Sequence, residues 1–182
     1  MGDVELRLIP TSELTAIEIE AIRTTLWAAF GDDPDVGFTE DDWVHALGGT
    51  HVVAEIDGRI VAHASVVPRE IHVAGRPLAT GYVEAVAVEP GRQRSGHGTA
   101  VMREAAAIVA GYDLGALGTG EHHFYERLGW RTWRGPSSVR TPSGDRATPD
   151  DDGNIMVLAT PTSPTLDLDA PISCEWRPGD AW

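Results

Sequence analysis

Residues 78–109 hold a strand, a glycine-containing loop and a helix in immediate succession. Residues 78–88 read as a Val-rich strand, Gln93-Arg94-Ser95-Gly96-His97-Gly98 as the loop, and residues 99–109, rich in Ala, Val and Met, as the helix. That order restricts the fold severely. A helix leaving a strand through a short loop packs back on the sheet, and the apolar run at 114–117 is placed to return as a neighbouring strand. The loop also has a chemical meaning. Its glycines let the backbone approach phosphate oxygens closely, and the unpaired N–H groups of a helix's first turn point at them. Arg92 and Arg94 add positive charge. No Gly-Lys-Ser/Thr follows, which excludes a P-loop, and the third glycine of a dinucleotide fingerprint is missing.

The remaining chain supplies the other layers. Residues 14–30 have helical apolar spacing with Ser12 as a cap, and 31–37 read as an acidic loop. Thr39 opens a short helix at 40–47 that Gly48-Gly49 stops. Strands follow at 51–56 and 59–67 around an Asp57-Gly58 turn, at 70–73, and at 78–88 after a turn at 74–77. A short helix at 122–128 ends on Gly129, strands are expected at 131–139 and 155–159, and 160–171 reads as an extended surface tail. The pattern predicts an α/β (α+β) fold, with a central mixed, mostly antiparallel sheet flanked by helices on both faces. At 182 residues, a single domain covering 1–182 is expected, with the tail from about 160 to 182 packed on it.

A formal charge of -14 repels phosphate backbones, so nucleic acid is not expected as a partner. A cationic small molecule or a basic peptide is favoured instead. The acids are clustered: Asp32, Asp33, Asp35, Glu40, Asp41 and Asp42 lie close together, and Asp150-Asp151-Asp152 forms a second run. Asp180 and the carboxylate of Trp182 make a third acidic element. No apolar run reaches the roughly 20 residues of a membrane span. Met1-Gly2-Asp3-Val4 lacks the features of a secretory signal, and Leu6 stands where myristoylation needs Ser or Thr. The lone Cys174 excludes an internal disulfide and a Cys-rich metal site, and adjacent His122-His123 cannot share a helix face, so no metal is expected. These features point to a cytoplasmic protein with no membrane partner.

Strand, Gln93-x-x-Gly96-x-Gly98 and helix together resemble motif A of the GNAT acetyltransferase superfamily. Within it, the chain is similar to the aminoglycoside 2'-N-acetyltransferases over residues 38–182. The segments that carry this likeness include Phe38-Thr39-Glu40-Asp41-Asp42-Trp43, Gly81-Tyr82-Val83-Glu84-x-Val86-Ala87-Val88, Tyr125 with Gly129-Trp130, Thr148-Pro149-Asp150-Asp151-Asp152, and Cys174-x-Trp176-Arg177-x-Gly179-Asp180-x-Trp182. The resemblance implies acetyl-CoA as cosubstrate, an aminoglycoside as acceptor, and a homodimer. It implies that backbone N–H groups of Gln93, Arg94, Ser95, Gly96, His97, Gly98 and Thr99 hold the CoA pyrophosphate. The strand edge at Val86, Ala87 and Val88 would pair with the pantetheine arm.

Acetyl transfer to nitrogen needs a base for the amine and an acid for the departing thiolate. Glu84, set among Val83, Ala85 and Val86, is expected as the base, directly or through water. Tyr125 is expected either as the acid that protonates the sulfur or as a core tyrosine packed on Trp130. Acidic groups at Asp42, Asp151, Asp180 and Trp182 would clamp the ammonium groups of the acceptor. Asp42 has a competing role in a Thr-x-x-Asp capping box, Asp151 as a solvated loop residue, and the terminus as a disordered end unless Trp176 and Trp182 anchor it. Ala85 replaces the glycine usual after this glutamate, which leaves the substrate contact unaltered unless the backbone there needs a positive φ. Gly118 stands where the family has Ser, in a short 118–124 loop. Alternatives are a GNAT enzyme for another polyamine, amino-sugar or basic peptide, and a non-catalytic aminoglycoside- or acyl-CoA-binding protein.

Overall fold

A computed structural model of the chain describes residues 3–31 and 37–182. Gly2 and the acids Asp32, Asp33 and Asp35 lie outside the described residues. No helix among those described is long and apolar enough to cross a membrane. The chain divides into two compact units, residues 1–67 with 83–107 and residues 68–82 with 108–182.

The first unit begins with β1 (Val4–Pro10), which pairs antiparallel with β2 (Thr50–Ile56), itself antiparallel to β3 (Arg59–Val73). β1 is absent from the sequence-based expectation, although Val4, Leu6 and Leu8 alternate with Glu5 and Arg7. Val4 and Leu8 remain 43% and 49% exposed, so the alternation marks an edge strand rather than a buried one. Helix α1 (Ala16–Phe30) starts at Thr15, not at Ser12. Thr15 Oγ1 accepts from Glu18 N, and the Glu18 carboxylate accepts from Thr15 N, which completes a capping box. α2 (Glu40–His45) is capped by Thr39 in the same way, close to the expected range. Ile22 and Leu26 of α1 and Trp43 of α2 pack with Ile9, Val53, Ile60 and Ala87 to form this unit's core.

β3 runs unbroken through 68–69, where two strands were expected, and turns at Ala74-Gly75 into β4 (Arg76–Val88). Both turn residues are left-handed, as are Asp57 and Gly58 in the preceding hairpin. After β4 the loop leads into α3 (His97–Val109), two residues earlier than expected.

In the second unit the strand order is β6 (Arg131–Thr132), β9 (Ile155–Ala159), β5 (Leu114–Gly118), β4, β3, β10 (Ile172–Glu175), β7 (Ser137–Thr141) and β8 (Gly144–Ala147). β4 with β5 and β10 with β7 are parallel, whereas β10 with β3, β5 with β9, β6 with β9 and β7 with β8 are antiparallel, so the sheet is mixed and mostly antiparallel. The strand expected at 131–139 is two strands, because Gly135 lies so close to the 169–170 backbone that a Cβ would sit 1.9 Å from the Ala170 carbonyl oxygen. Residues 172–175, for which no strand was expected in the packed tail from about 160 to 182, are β10, and Cys174 is fully buried. Burial pushes its thiol up to about 11. Trp130 and Trp133 are buried with Leu114, Leu117, Ile155 and Met156.

Candidate functional site

The loop after β4 is shaped by left-handed residues. Gly91, Arg94 and Gly96 have φ of 76°, 63° and 87°, and only glycine adopts such values without steric cost. Gln93, Arg94, Ser95 and Gly96 are exposed, and His97, Gly98 and Thr99 are half-buried in the first turn of α3. The first N–H groups of that helix have no acceptor inside it. Arg92 is less available than the sequence suggests: its Nε donates to Glu89 Oε2 at 3.2 Å, and Glu89 also pairs with Arg59. Arg94 is exposed and makes no ion pair among the described residues. An exposed loop and helix start with free backbone donors and Arg94 beside them suit a doubly charged pyrophosphate.

β4 pairs with β5 only over Thr80 to Tyr82. Val86, Ala87 and Val88 lie beyond that ladder. Ala87 is buried in the core of the first unit, while Val86 and Val88 are half-buried.

Ala85 is left-handed, with φ of 51° in the middle of β4. The conformation costs an L-residue roughly 1–2 kcal/mol, and it breaks the strand's alternation beside Glu84. The backbone here therefore has the positive φ that glycine accepts freely, although the chain carries alanine. Two side chains from β3 bond the adjacent carbonyls: Ser65 Oγ donates to Glu84 O at 3.4 Å, and His63 Nδ1 donates to Ala85 O at 2.7 Å. Glu84 itself is half-buried. In the same unit, Asp42 Oδ2 accepts from the Thr39 N–H and hydroxyl, both at 2.8 Å, so the capping role weighed for it is present.

The second unit gathers three of the proposed substrate residues. Asp151, Asp180 and Trp182 line a cavity of about 310 Å³ with Gly118, Thr119 and Asn154. Among the described residues, no Lys, Arg or His lines it. Asp151 is raised from its ordinary value, chiefly by burial and further by the charges of Asp180, Asp150 and Asp152, while a hydrogen bond from Thr148 acts in the opposite direction. Of the two tail tryptophans, Trp182 is buried and Trp176 is 56% exposed, so anchoring falls to Trp182 alone.

Arg69, to which the sequence reading gave no role, helps to hold this tail. Arg69 Nε donates to Glu175 Oε1 at 2.9 Å, and its Nη1 donates to Ala181 O at 2.9 Å. The guanidinium sits 4.6 Å from the Tyr82 ring centroid. Arg177 Nε donates to Asp180 O at 2.9 Å. Trp182 Nε1 donates to Thr148 Oγ1, which also bonds Ser137 Oγ, and Ser137 in turn donates to Asp152 Oδ1. Arg69 fell between two expected strands; its hydrogen-bond partners Glu175 and Ala181 lie more than 100 residues away and leave no local mark.

Tyr125 sits in α4 (His122–Glu126), 7% exposed, with its ring edge-on to Trp130 at 6.3 Å between centroids. The packing on Trp130 is therefore present. Burial, with a smaller contribution from Glu121, raises its phenol above the usual tyrosine range. The group stays protonated at neutral pH, as a proton donor must.

The sequence matches the acetyltransferase (GNAT) domain family over residues 11–133, and the chain belongs to that family. It is 40% identical, over 97% of its length and 91% of the relative's, to an aminoglycoside 2'-N-acetyltransferase of Mycolicibacterium fortuitum. Its fold is similar to a GNAT family acetyltransferase from Brucella melitensis solved with acetyl-CoA (TM-score 0.60, 22% identity, 92% of this chain and 95% of that one). It is also similar to a GNAT family N-acetyltransferase (YhbS) from Escherichia coli solved with CoA (TM-score 0.63, 15% identity, 96% and 91% covered).

Proposed function

We propose that the protein transfers acetyl from acetyl-CoA to the 2'-amino group of aminoglycosides. The observation that carries this reading is the cavity at Asp151, Asp180 and Trp182, which concentrates acid and has no cation in its lining. Burial first, and the neighbouring carboxylates second, raise Asp151, and ammonium groups on one ligand would offset both through charge-assisted hydrogen bonds. The 40% identity to the Mycolicibacterium fortuitum enzyme supports the same acceptor.

The loop at residues 93–99 suits the donor. Backbone N–H groups there and Arg94 would hold the pyrophosphate, and Val86 to Val88 would pair with pantetheine. Acetyl-CoA supplies an activated thioester carbonyl. In the transfer, Glu84 takes the proton from the 2'-ammonium, directly or through water, and leaves a neutral amine. The amine nitrogen bonds to the acetyl carbon, the carbon–sulfur bond breaks, and the Tyr125 phenol gives its proton to the leaving sulfur; the proton that the nitrogen sheds on becoming an amide returns to the tyrosinate, directly or through water. Asp42 is retained as an acceptor contact through whatever its capping role leaves free. By the same resemblance we read the enzyme as a cytoplasmic homodimer, which light scattering at twice the chain mass would test.

The decisive experiment follows thiol release with acetyl-CoA and a panel of aminoglycosides. Tobramycin, with a 2'-amine, should turn over, and kanamycin A, with a 2'-hydroxyl, should not. Equal turnover of both sinks the 2' assignment. Turnover confined to polyamines or basic peptides moves the acceptor elsewhere, and binding without any turnover reduces the protein to a ligand carrier.

A further inference from the structure

Thr11, His51, His63 and Ala85 form a continuous hydrogen-bonded chain across β2, β3 and β4. Thr11 Oγ1 lies 2.9 Å from His51 Nε2, His51 Nδ1 lies 2.9 Å from His63 Nε2, and His63 Nδ1 lies 2.7 Å from the Ala85 carbonyl oxygen. Both histidines are fully buried. We infer that His63, braced by His51 and Thr11, is a positioning residue that holds Ala85 in its left-handed conformation and so sets the placement of Glu84. The inference rests on the reading of Glu84 as base.

The direction of every bond follows from the far end. A carbonyl oxygen only accepts, so His63 Nδ1 carries hydrogen. Burial holds both rings neutral at physiological pH, with His63 lowered to about 3 and His51 to about 4. A neutral His63 must then accept at Nε2, so His51 donates from Nδ1 and accepts at Nε2 from the Thr11 hydroxyl. The near end is fixed too: Thr11 Oγ1 accepts from Gly48 N at 3.0 Å, Thr11 N donates to Gly49 O at 2.9 Å, and the Thr11 hydroxyl, which also lies 3.2 Å from Gly49 O, gives its one proton to the nearer His51 Nε2. Gly49 is wedged against β3, where a Cβ would stand 1.9 Å from the Val66 carbonyl oxygen.

A chain that ends on a carbonyl has no onward proton to pass, so it acts as a strut rather than a proton wire. Its load is identifiable. Ala85 occupies a backbone region that alanine disfavours and glycine does not, and the residue before it is the proposed base. Ser65, two residues after His63 on the same strand face, bonds the Glu84 carbonyl.

Two polar replacements of His63 separate the ends of the strut. In His63→Asn the amide nitrogen stands near the Nδ1 position and can still donate to Ala85. In His63→Gln the amide reaches the Nε2 position, keeps His51, and loses Ala85. His63→Gln should lower kcat with tobramycin by about 10- to 100-fold, with acetyl-CoA affinity unchanged, because small misplacements of reacting groups have such effects. His63→Asn should stay within about threefold of wild type, the spread expected of a retained contact. The second arm removes the load. In an Ala85→Gly background, where the left-handed backbone needs no brace, His63→Gln should lower kcat by less than about threefold relative to Ala85→Gly alone. Equal losses in Asn and Gln that follow thermal stability, or an undiminished Gln effect in the glycine background, overturn the strut. Glu84→Gln is measured in parallel. Wild-type turnover there removes Glu84 as base and the strut's purpose with it, whereas a loss there without coupling between 63 and 85 refutes the strut alone.

Discussion

Trp182 donates from its indole nitrogen to the hydroxyl of Thr148, 3.1 Å away, and is 8% exposed. The last residue of the chain is thereby fixed against the segment that carries Asp151, and both line the acidic cavity. Truncation of residues 180–182 removes a carboxylate and the indole wall together. Losing charge-assisted contacts of about 1.5–3 kcal/mol should raise the KM for tobramycin roughly 10- to 100-fold. Acetyl-CoA affinity, measured by calorimetry, should stay near wild type. Unchanged values for both ligands would remove the tail from acceptor binding.

Gly118 lies under the same residue. A Cβ there would be 3.3 Å from the Trp182 carbonyl carbon and 3.5 Å from its oxygen. A serine side chain there would press on Trp182 and tilt it, so Gly118→Ser should raise the tobramycin KM several-fold, by about 1 kcal/mol of lost fit. Thermal stability should change little, because Gly118 is exposed. A KM equal to wild type would mean that Trp182 yields without consequence.

Gly135 faces backbone rather than a movable side chain, with Ala170 O, Ala170 C and Asp169 O all within 2.7 Å of a Cβ position. Gly135→Ala must separate residues 134–136 from the 168–170 segment, where Arg134 N and Gly135 N donate to Leu168 O. The loss should be about 3 kcal/mol or more. Urea unfolding measures it, and a loss below about 1 kcal/mol would show that the two segments part easily.

His51 and His63 link stability to pH. Both are lowered by burial, to about 4 and about 3, from an unfolded value near 6.5. Between these limits the unfolded chain binds more protons than the folded one, so stability is fully present above about 6.5 and declines as pH falls toward 4. Asp151, raised by burial, acts in the opposite sense. The contribution of the histidines is therefore read by difference. A plot of Tm from pH 7.5 to 4.5 should slope more steeply for wild type than for the double variant His51→Asn, His63→Asn. Parallel slopes would place the acid sensitivity elsewhere.

The features legible in the sequence are those made by neighbours along the chain. The loop at Gln93 to Gly98 was readable because its glycines, the strand before it and the helix after it are contiguous. The same holds for the Asp57-Gly58 and Ala74-Gly75 turns and for the Thr39 cap. β1 carried a readable alternation, but its half-exposed apolar residues resemble those of an amphipathic surface segment. The interruption of the 131–139 strand was hidden, because it depends on Gly135 meeting Ala170, and nothing near residue 135 announces that partner.

Composition and local pattern by themselves determined a strand, glycine loop and helix in succession, an acid-rich chain and where its acids cluster along the sequence. Tertiary structure decided which of those residues meet. It gathered Asp151, Asp180 and Trp182 around one cavity, used an Asp42 oxygen to cap α2, and buried Trp182 while leaving Trp176 exposed. It also set Ala85 left-handed and placed His63 on its carbonyl. The physical reason is range. Turn and cap preferences act over a few residues of backbone, whereas a hydrogen bond from His63 to Ala85 or from Trp182 to Thr148 exists only after strands and tail distant in the chain have been packed together.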